Sequence, residues 1–368
     1  MLTFVIPTWN RAACLELAIT SIADQIKEYK GQSNIKIIVS DNRSTDNTAA
    51  VLERLSSKYA FLRVLTKATT WGTDYSESFR CAFALADTEW TWTFGDDDML
   101  MPYGLDTVLG LIKRGGFEFL HVAEVTRSRN SQALVKGKFI DLCRNIGWID
   151  MCGFITGNIV KTEYWRQAVA LPSWDLYAKN AFVQACALLE VLHDKDAAFY
   201  DAPIVDVQRR EQTQEMSAGW IASNTAMRYH YVDEALVDMR ARGILGSLTP
   251  KFFRYLHYHL WDRFLGSIID SYNSTEDMKV TDHLDDLLRR CMNMTSFLVG
   301  ADRKQYENEV IEVKQAMIEH AAALQYAIQK AGTLWQLMND HARDKYEFSY
   351  LAPTNTKASP RAGPLPKL

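Results

Sequence analysis

The stretch TFVIPTWNR (residues 3–11) decides the fold, because a short apolar run ends in a proline and opens into polar residues. A buried parallel strand whose carboxyl end leads into a loop has this pattern. The helix predicted next, with Asn10 as its N-cap, has one apolar face at helical spacing. That face consists of Leu15, Ile19, Ile22 and Ile26. The N-terminus therefore predicts the start of a strand–helix–strand unit.

The same alternation continues over about the first hundred residues. Further strands are predicted at 35–39, 62–65 and 90–94, with helices between them, and Ser44 and Thr45 are the predicted N-caps of the second helix. Strands that alternate with helices form parallel, right-handed units. The predicted fold class is therefore α/β, with a mostly parallel, doubly wound sheet.

Polar residues follow several of these strands, namely Thr8, Asn10, Asp41 and the run Asp96 to Asp98 after Gly95. Ligands of such sheets bind beyond the carboxyl ends of the strands, so these residues are expected in one crevice. Three successive carboxylates repel one another unless a cation neutralises them, and oxygen ligands select Mg²⁺ or Mn²⁺. The alternative is a solvated acidic turn. The apolar strand with Trp90 and Trp92 directly before the run favours the cation.

Four segments, in order along the chain, resemble glycosyltransferase family 2, the inverting enzymes of the GT-A fold. They are FVIPTWNR (4–11), IIVSDNRSTDNT (37–48), WGTDYSESFRCAFALA (71–86) and WTFGDDDMLMP (92–102). Within the family, the GDDD form is most similar to the abequosyltransferase-like branch. The resemblance implies a nucleoside diphosphate sugar donor, a hydroxyl acceptor and Mn²⁺ or Mg²⁺ as cofactor.

The resemblance also implies site residues. Pro7, Thr8, Asn10 and Arg11 would line the base and ribose, and Asp41 would accept a base N–H. Asp96 matches the first and Asp98 the second carboxylate of the family's D-x-D motif. Both are metal candidates, and Asp97 between them is assigned to the donor site. Gly72 and Asp74 resemble the turn into the helix behind the site, where Asp74 as a helix cap is the alternative. Arg209 and Arg210, after a predicted strand, are candidates for clamping the diphosphate, with an exposed arginine pair as the alternative.

On the acceptor side, Phe154, Thr156 and Asn158 resemble the family's acceptor loop. Inverting transfer needs a base for the acceptor hydroxyl. The family's Glu-Asp pair is missing from 172–184, and Asp175 is the candidate base by type and position. The alternative is that Asp175 caps the following helix.

The expected function is a metal-dependent inverting glycosyltransferase that acts in surface polysaccharide or glycoconjugate synthesis. Two alternatives stay open: sugar transfer to modified nucleic-acid bases, and a non-catalytic GT-A-like binding module. Forty-one Lys and Arg against 45 Asp and Glu give 41 − 45 = −4, a net charge that disfavours nucleic acid as a partner without excluding a local basic patch. No G-x-x-x-x-G-K-[ST] motif occurs, which disfavours a P-loop enzyme.

Three parts are expected along the chain: a GT-A catalytic domain at 1–220, a helical C-terminal domain at 221–350 and a flexible proline-rich tail at 351–368. An apolar seam at 306–328 would close on its own bundle or on a second copy of the chain, giving a homo-oligomer. The aromatic-rich stretch 252–264 has three interpretations: core, sugar platform or peripheral membrane contact. No 18-residue apolar run occurs, and six scattered cysteines are typical of reduced thiols, so a cytoplasmic location is expected.

Overall fold

The computed structural model describes residues 1–29, 34–66, 75–125, 128–146, 148–179, 182–207, 232, 234–236, 238–244 and 304. Its strands are β1 (Leu2–Thr8), β2 (Ile35–Asp41), β3 (Leu62–Thr66), β4 (Trp90–Thr93), β5 (Asp98–Leu100), β6 (Phe119–Glu124), β7 (Ala133–Lys138), β8 (Asn158–Lys161) and β9 (Asp196–Val207). Its helices are α1 (Ala12–Glu28), α2 (Thr48–Lys58), α3 (Tyr75–Leu85), α4 (Gly104–Arg114), α5 (Phe139–Ile146), α6 (Trp148–Cys152), α7 (Thr162–Val169), α8 (Trp174–Tyr177) and α9 (Val183–Leu192). A 3₁₀ turn, Ile155–Gly157, precedes β8.

The nine strands of the described residues form one sheet in the order β3-β2-β1-β4-β8-β6-β9-β5, with β7 also paired to β9. The strands β1 to β4 are parallel, as predicted. Thr8 at the end of β1 lies opposite Asp41 at the end of β2. β1 continues through Pro7 to Thr8. β4 pairs with β1 only from Leu2 to Val5, so Pro7 lies beyond that ladder.

The second half of the sheet is mixed. β8 is antiparallel to both β4 and β6, whereas β6 and β9 are parallel. β5 and β7 both pair antiparallel with β9. Because β8 runs against β4, the turn that precedes β8 lies at the edge where β4 ends. The expected doubly wound sheet is therefore parallel in its first half and mixed in its second.

Two apolar clusters cover the two faces of the sheet. On the first face, the helices α1, α2 and α4 pack against alternate residues of β1 and β4, such as Phe4 and Trp92. The opposite face carries α3 and α5 to α9, on residues such as Val5 and Ile38. The predicted apolar face of α1 is buried at all four positions, Leu15, Ile19, Ile22 and Ile26. The apolar face of α1 was thus correctly predicted from helical periodicity.

Two predicted helix caps are wrong. The N-cap of α1 is Arg11, and Asn10 adopts the left-handed conformation at φ 53° with its side chain bonded elsewhere. The N-cap of α2 is Asn47 rather than Ser44 or Thr45. Asn and Ser side chains bond equally well to helix ends and to neighbouring loops, so local sequence does not separate the two uses.

Most of the expected C-terminal helical domain and all of the tail lie outside the described residues. Residues 232, 234–236 and 238–241 are helical, and the predicted seam at 306–328 and aromatic stretch at 252–264 lie outside the description. Among the described residues, no helix is long and apolar enough to cross a membrane. The domain boundaries, the homo-oligomer and the membrane contact stay predictions.

Candidate functional site

The loops after β1 and β4 meet through Asp96, which is buried with 7% of its surface exposed. The Thr8 hydroxyl donates a hydrogen bond to Asp96 Oδ2 at 2.8 Å. The Arg11 guanidinium donates to Asp96 Oδ1 at 3.1 Å and to Asp97 Oδ2 at 2.5 Å. These residues are 85 or more positions apart in the chain, and the parallel sheet brings them together as predicted.

A second network joins the loops after β1 and β2. Asn10 Oδ1 accepts the Thr45 N–H at 2.6 Å, and the Asn10 N–H donates to Ser44 Oγ at 2.8 Å. Asp41 accepts the Ser44 N–H at 3.0 Å and the Ser44 hydroxyl at 2.7 Å. Asp46 accepts the N–H at the start of α1, on Ala12, at 3.2 Å. These bonds fix the Asp41 carboxylate and the entry of α1 in one rigid loop pair.

Asp98 opens β5 and has different partners. The Thr156 hydroxyl donates a short hydrogen bond to Asp98 Oδ2, and the Gly95 N–H donates to Thr156 Oγ1 at 2.9 Å. A Cβ atom at Gly95 would lie 2.8 Å from Asp98 Oδ2 and 2.9 Å from Thr156 Oγ1. Only glycine permits this close approach.

Burial sets the electrostatics of both carboxylates. Burial raises the pKa of Asp96 to about 6, although Arg11 and Thr8 favour the ionised form. Burial and the neighbouring Asp97 raise the pKa of Asp98 to about 7, with further contributions from the charges of Asp96 and Glu124. Within the described residues, no Lys or Arg forms an ion pair with Asp98, whereas Arg11 pairs with both Asp96 and Asp97. Asp98 is thus a buried carboxylate that has no cationic partner among the described residues.

The carboxylate oxygens of this loop fit a hard cation whose other ligands are mainly oxygens of a bound substrate. The described residues contain no group of three or more His, Cys, Asp or Glu side chains arranged to hold a metal ion. One uncompensated carboxylate together with phosphate oxygens is a usual Mg²⁺ arrangement. Of the two predicted metal carboxylates, Asp98 fits this role better, because Arg11 already neutralises Asp96.

The predicted acceptor residues lie inside the protein rather than on an open loop. Thr156 and Asn158 are fully buried. Asn158 donates to the Cys152 carbonyl at 3.0 Å, and its Oδ1 lies 3.3 Å from His121 Nδ1. Phe154 is half-buried and packs against the apolar cluster that α1 and α4 cover. The structure therefore brings Thr156 directly to the acidic loop and Asn158 to the strand beside it.

Asp175, the predicted base, lies in the first turn of α8 with its side chain 89% exposed. The guanidinium of Arg80 on α3 approaches it at 3.8 Å and stacks on Trp174 at 5.6 Å. Within the described residues, no hydrogen bond or ion pair joins Asp175 to the acidic loop. Its assignment as the base stays a prediction.

Four predicted site residues, Gly72, Asp74, Arg209 and Arg210, lie outside the described residues. The predictions for them stay untested.

Sequence reasoning missed two sets of residues at the site. The first set is Ser44, Thr45 and Asp46, whose hydrogen bonds stabilise the loops after β1 and β2. From the sequence, Ser44 and Thr45 were assigned to a helix cap, and Asp46 was given no role. Glu124 ends β6 with 3% exposure, and its charge contributes to the raised pKa of Asp98. The rule that ligands bind at carboxyl ends of strands could have found Glu124, had it been applied to β6 as well.

Comparisons with known proteins show which sequences and folds this chain resembles. The profile described as Glycosyl transferase family 2 matches residues 3–164. Abequosyltransferase RfbV of Salmonella typhimurium (strain LT2) is 26% identical over 185 residues, which cover 45% of this chain and 54% of that protein. The chain thus spans about half the length of this curated relative. The matched residues 3–164 contain Thr8, Asp41, Asp96 to Asp98 and Thr156, and exclude Asp175.

Among solved structures, S. aureus TarS 1-349 in complex with UDP-GlcNAc has a TM-score of 0.58 at 14% identity, covering 92% of both chains. The structure of S. aureus TarS has a TM-score of 0.56 at 13% identity, covering 91% of this chain and 55% of that one. At such identities the likeness concerns the fold, and it confirms the expected GT-A type α/β fold. The expected family resemblance is likewise confirmed.

Proposed function

We propose, from the match of residues 3–164 to the profile described as Glycosyl transferase family 2, that the protein transfers a sugar from a nucleoside diphosphate sugar to a hydroxyl acceptor. The observation that carries the proposal is the placement of Asp96 and Asp98. Both carboxylates are buried in the segment that follows β4, where Asp96 bonds to Arg11 and Asp98 bonds to Thr156. The similarity to an abequosyltransferase supports sugar transfer, and we assign the reaction to surface polysaccharide or glycoconjugate synthesis.

The donor would lie across the loops after β1 and β2. Asp41 is oriented by Ser44 and offers a carboxylate to a base N–H, while Thr8, Asn10 and Arg11 surround the adjoining ribose and phosphates. A guanidinium binds phosphate oxygens strongly and holds them in a defined direction. Arg11 is thus suited to stabilise the negative charge that develops on the leaving diphosphate.

Asp98, together with the donor's phosphates, would hold Mg²⁺ or Mn²⁺, and such a cation would supply further stabilisation of the leaving group. Asp98 contributes its buried, uncompensated carboxylate for this purpose. Asp96 stays bonded to Thr8 and Arg11 and orients the donor. The division of roles accounts for neighbouring acidic residues at a buried position, where their mutual repulsion disfavours folding.

We propose that Asp175 accepts the proton of the acceptor hydroxyl as the anomeric carbon is attacked. Its exposed side chain is accessible to an acceptor that arrives from solvent. An Asp175→Asn variant is expected to lose turnover while it keeps donor affinity. A loss of donor affinity equal to the loss of turnover would contradict this role.

The experiment that tests the function is thermal unfolding with UDP, GDP, CDP and dTDP, each with Mn²⁺ or with EDTA. A ligand at about 100 times its Kd adds roughly 2.7 kcal/mol of stability, which raises Tm by several degrees for a chain of this size. We expect one diphosphate to raise Tm with Mn²⁺, and Asp98→Asn to abolish that rise. Asp87→Asn, which alters a surface pair with Lys36, is the matched control. Absence of a shift with all four diphosphates would contradict the proposal.

A further inference from the structure

Thr156 connects the acidic loop with the segment before β8. It lies in the 3₁₀ turn Ile155–Gly157 and is fully buried. Its hydroxyl contacts both Gly95 and Asp98, and its carbonyl accepts the Trp92 Nε1–H at 2.8 Å. One residue is therefore bonded to the end of β4, to the glycine after it and to the start of β5.

When Asp98 is ionised, the hydrogen bonds of the Thr156 hydroxyl have one consistent direction. A hydroxyl has one proton to donate and lone pairs to accept with. The Gly95 N–H is necessarily a donor, so it uses a lone pair of Oγ1, at 2.9 Å. An ionised carboxylate only accepts, so the single hydroxyl proton is directed to Asp98 Oδ2. Because the χ1 rotation of threonine is restricted, the hydroxyl oxygen has few alternative positions.

The hydroxyl consequently fixes the Asp98 carboxylate. With Oδ2 bonded to Thr156, the side-chain rotation of Asp98 is set, and so is the position of Oδ1. Gly95 is part of the same arrangement, because a Cβ atom at this position would lie less than 3 Å from Asp98 Oδ2 and from Thr156 Oγ1. A carboxylate that binds a cation through few protein ligands depends strongly on such outer contacts, whose loss typically costs 10- to 100-fold in metal affinity.

We infer that Thr156 is a positioning residue for Asp98, and that it binds no acceptor itself. It sets the carboxylate for the cation and diphosphate of the donor, and it joins the segment predicted to meet the acceptor to the donor site. This inference rests on the proposed function. On this inference, the hydroxyl of Thr156, and not the packing of its side chain, determines the affinity for the diphosphate in the presence of the cation.

Three variants separate the hydroxyl from the packing. Thr156→Val keeps the shape and removes the hydroxyl, whereas Thr156→Ser keeps the hydroxyl and removes a methyl group. Thr162→Val is the matched control, because the Thr162 hydroxyl makes a buried hydrogen bond of 2.8 Å to Thr91, at the start of α7 and outside the proposed site. If Thr156→Val does not fold, Thr156→Cys, with a weak donor in the same place, is measured instead.

The measurement is calorimetric titration of UDP, GDP, CDP and dTDP, each with Mn²⁺ and with EDTA. We expect Thr156→Val to weaken the Mn²⁺-dependent affinity by about 10- to 100-fold and to leave the affinity in EDTA within about twofold of wild type. Thr156→Ser and Thr162→Val are expected to stay within about threefold of wild type in both conditions.

Two results would overturn the inference alone. One is wild-type Mn²⁺-dependent affinity in Thr156→Val, and the other is an equal loss of affinity with Mn²⁺ and with EDTA, which indicates a purely structural role. If wild-type protein itself binds none of the four diphosphates, the proposed function fails, and the inference fails with it.

Discussion

Asp96 and Asp98 are two positions apart in the chain, yet they lie in opposite electrostatic surroundings. Asp96 faces the loop after β1, where Thr8 and Arg11 satisfy it. Asp98 faces the turn before β8, where it bonds to the neutral hydroxyl of Thr156 and is surrounded by further carboxylates. The difference teaches that one acidic run can have two roles: one carboxylate is bonded within the protein, and the other is the one that, in the proposed function, binds a cation together with the substrate.

The sharpest test of the role of Asp98 replaces its charge by an amide and makes the same change at its more exposed neighbour Asp97. Asp98→Asn is expected to lower the rate of sugar transfer by about 10²- to 10³-fold, the scale observed when one electrostatic contact to developing charge is removed. Asp97→Asn, which alters a side chain that is 33% exposed, is expected to lose less than about tenfold. Steady-state rates with the donor identified by thermal unfolding provide the measurement. Equal effects at the two positions would remove the distinction.

Glycine substitutions probe the packing between the two halves of the site. Gly95→Ala forces a methyl group against Asp98 and Thr156, and overpacking of this kind typically costs about 1–3 kcal/mol of unfolding free energy. Gly110→Ala is the control, because open space surrounds that position in α4 and alanine is the better helix former by up to about 1 kcal/mol. Urea unfolding should thus give changes of opposite sign. A stabilised Gly95→Ala would contradict the close approach at Asp98.

The donor side could be predicted from sequence, because each of its residues follows a strand of a regular parallel unit. Thr8, Asp41 and Asp96 were placed correctly by counting strand ends, and the apolar face of α1 by periodicity. The roles of Asn10, Ser44 and Thr45 were not predicted correctly. Their hydrogen bonds join residues 34 or 35 positions apart in the chain and replace the helix caps that local patterns favour.

The other side of the site was less accessible to sequence reasoning. Its strands pair antiparallel and out of chain order, with β8 between β4 and β6, and alternation alone does not fix such an order. The hydrogen bond between Asp98 and Thr156 crosses 58 residues. The resemblance pointed to Thr156, yet neither spacing nor composition indicates that its hydroxyl reaches the acidic loop. The strand-end rule could have indicated Glu124 as a candidate, but its burial near Asp98 depends on where β6 lies in the sheet, which the local sequence does not indicate.

A smaller effect is expected at Arg11, which compensates the charges of Asp96 and Asp97. Arg11→Gln leaves Asp96 and Asp97 without their ion pairs, and the loss is expected to cost about 1–3 kcal/mol of unfolding free energy, because both carboxylates are at least partly buried. Arg54→Gln breaks the exposed pair with Glu16 and is expected to cost less than about 1 kcal/mol. Denaturant unfolding without ligand compares the two. The compensated role of Asp96 would be disproved if Arg11→Gln cost no more than Arg54→Gln.

The smallest effect is expected far from the acidic loop, where compensation of a buried carboxylate serves stability alone. Glu190 on α9 accepts hydrogen bonds from Arg242 at 2.6 and 2.9 Å, from Ser173 at 2.8 Å and from the Tyr177 hydroxyl. Burial opposes ionisation, yet these bonds hold the pKa of Glu190 below its ordinary value. In contrast to Asp98, this carboxylate is satisfied on every side by donors of the protein.

The pH dependence follows from the sign of that shift. A carboxyl group whose pKa is lowered by folding stabilises the protein above its unfolded pKa, about 4.3 for glutamate, and the stabilisation is lost as the pH falls through the lower folded value. Glu190→Gln should therefore cost about 1–2 kcal/mol at pH 7, and its difference from wild type should shrink below about pH 4. Asp238→Asn, which removes the more exposed partner of Arg242, should cost less than about 0.5 kcal/mol. Urea unfolding between pH 3.5 and 7 measures both. A cost of Glu190→Gln that is independent of pH would mean that packing, rather than charge, holds this cluster, and would remove the contrast with Asp98.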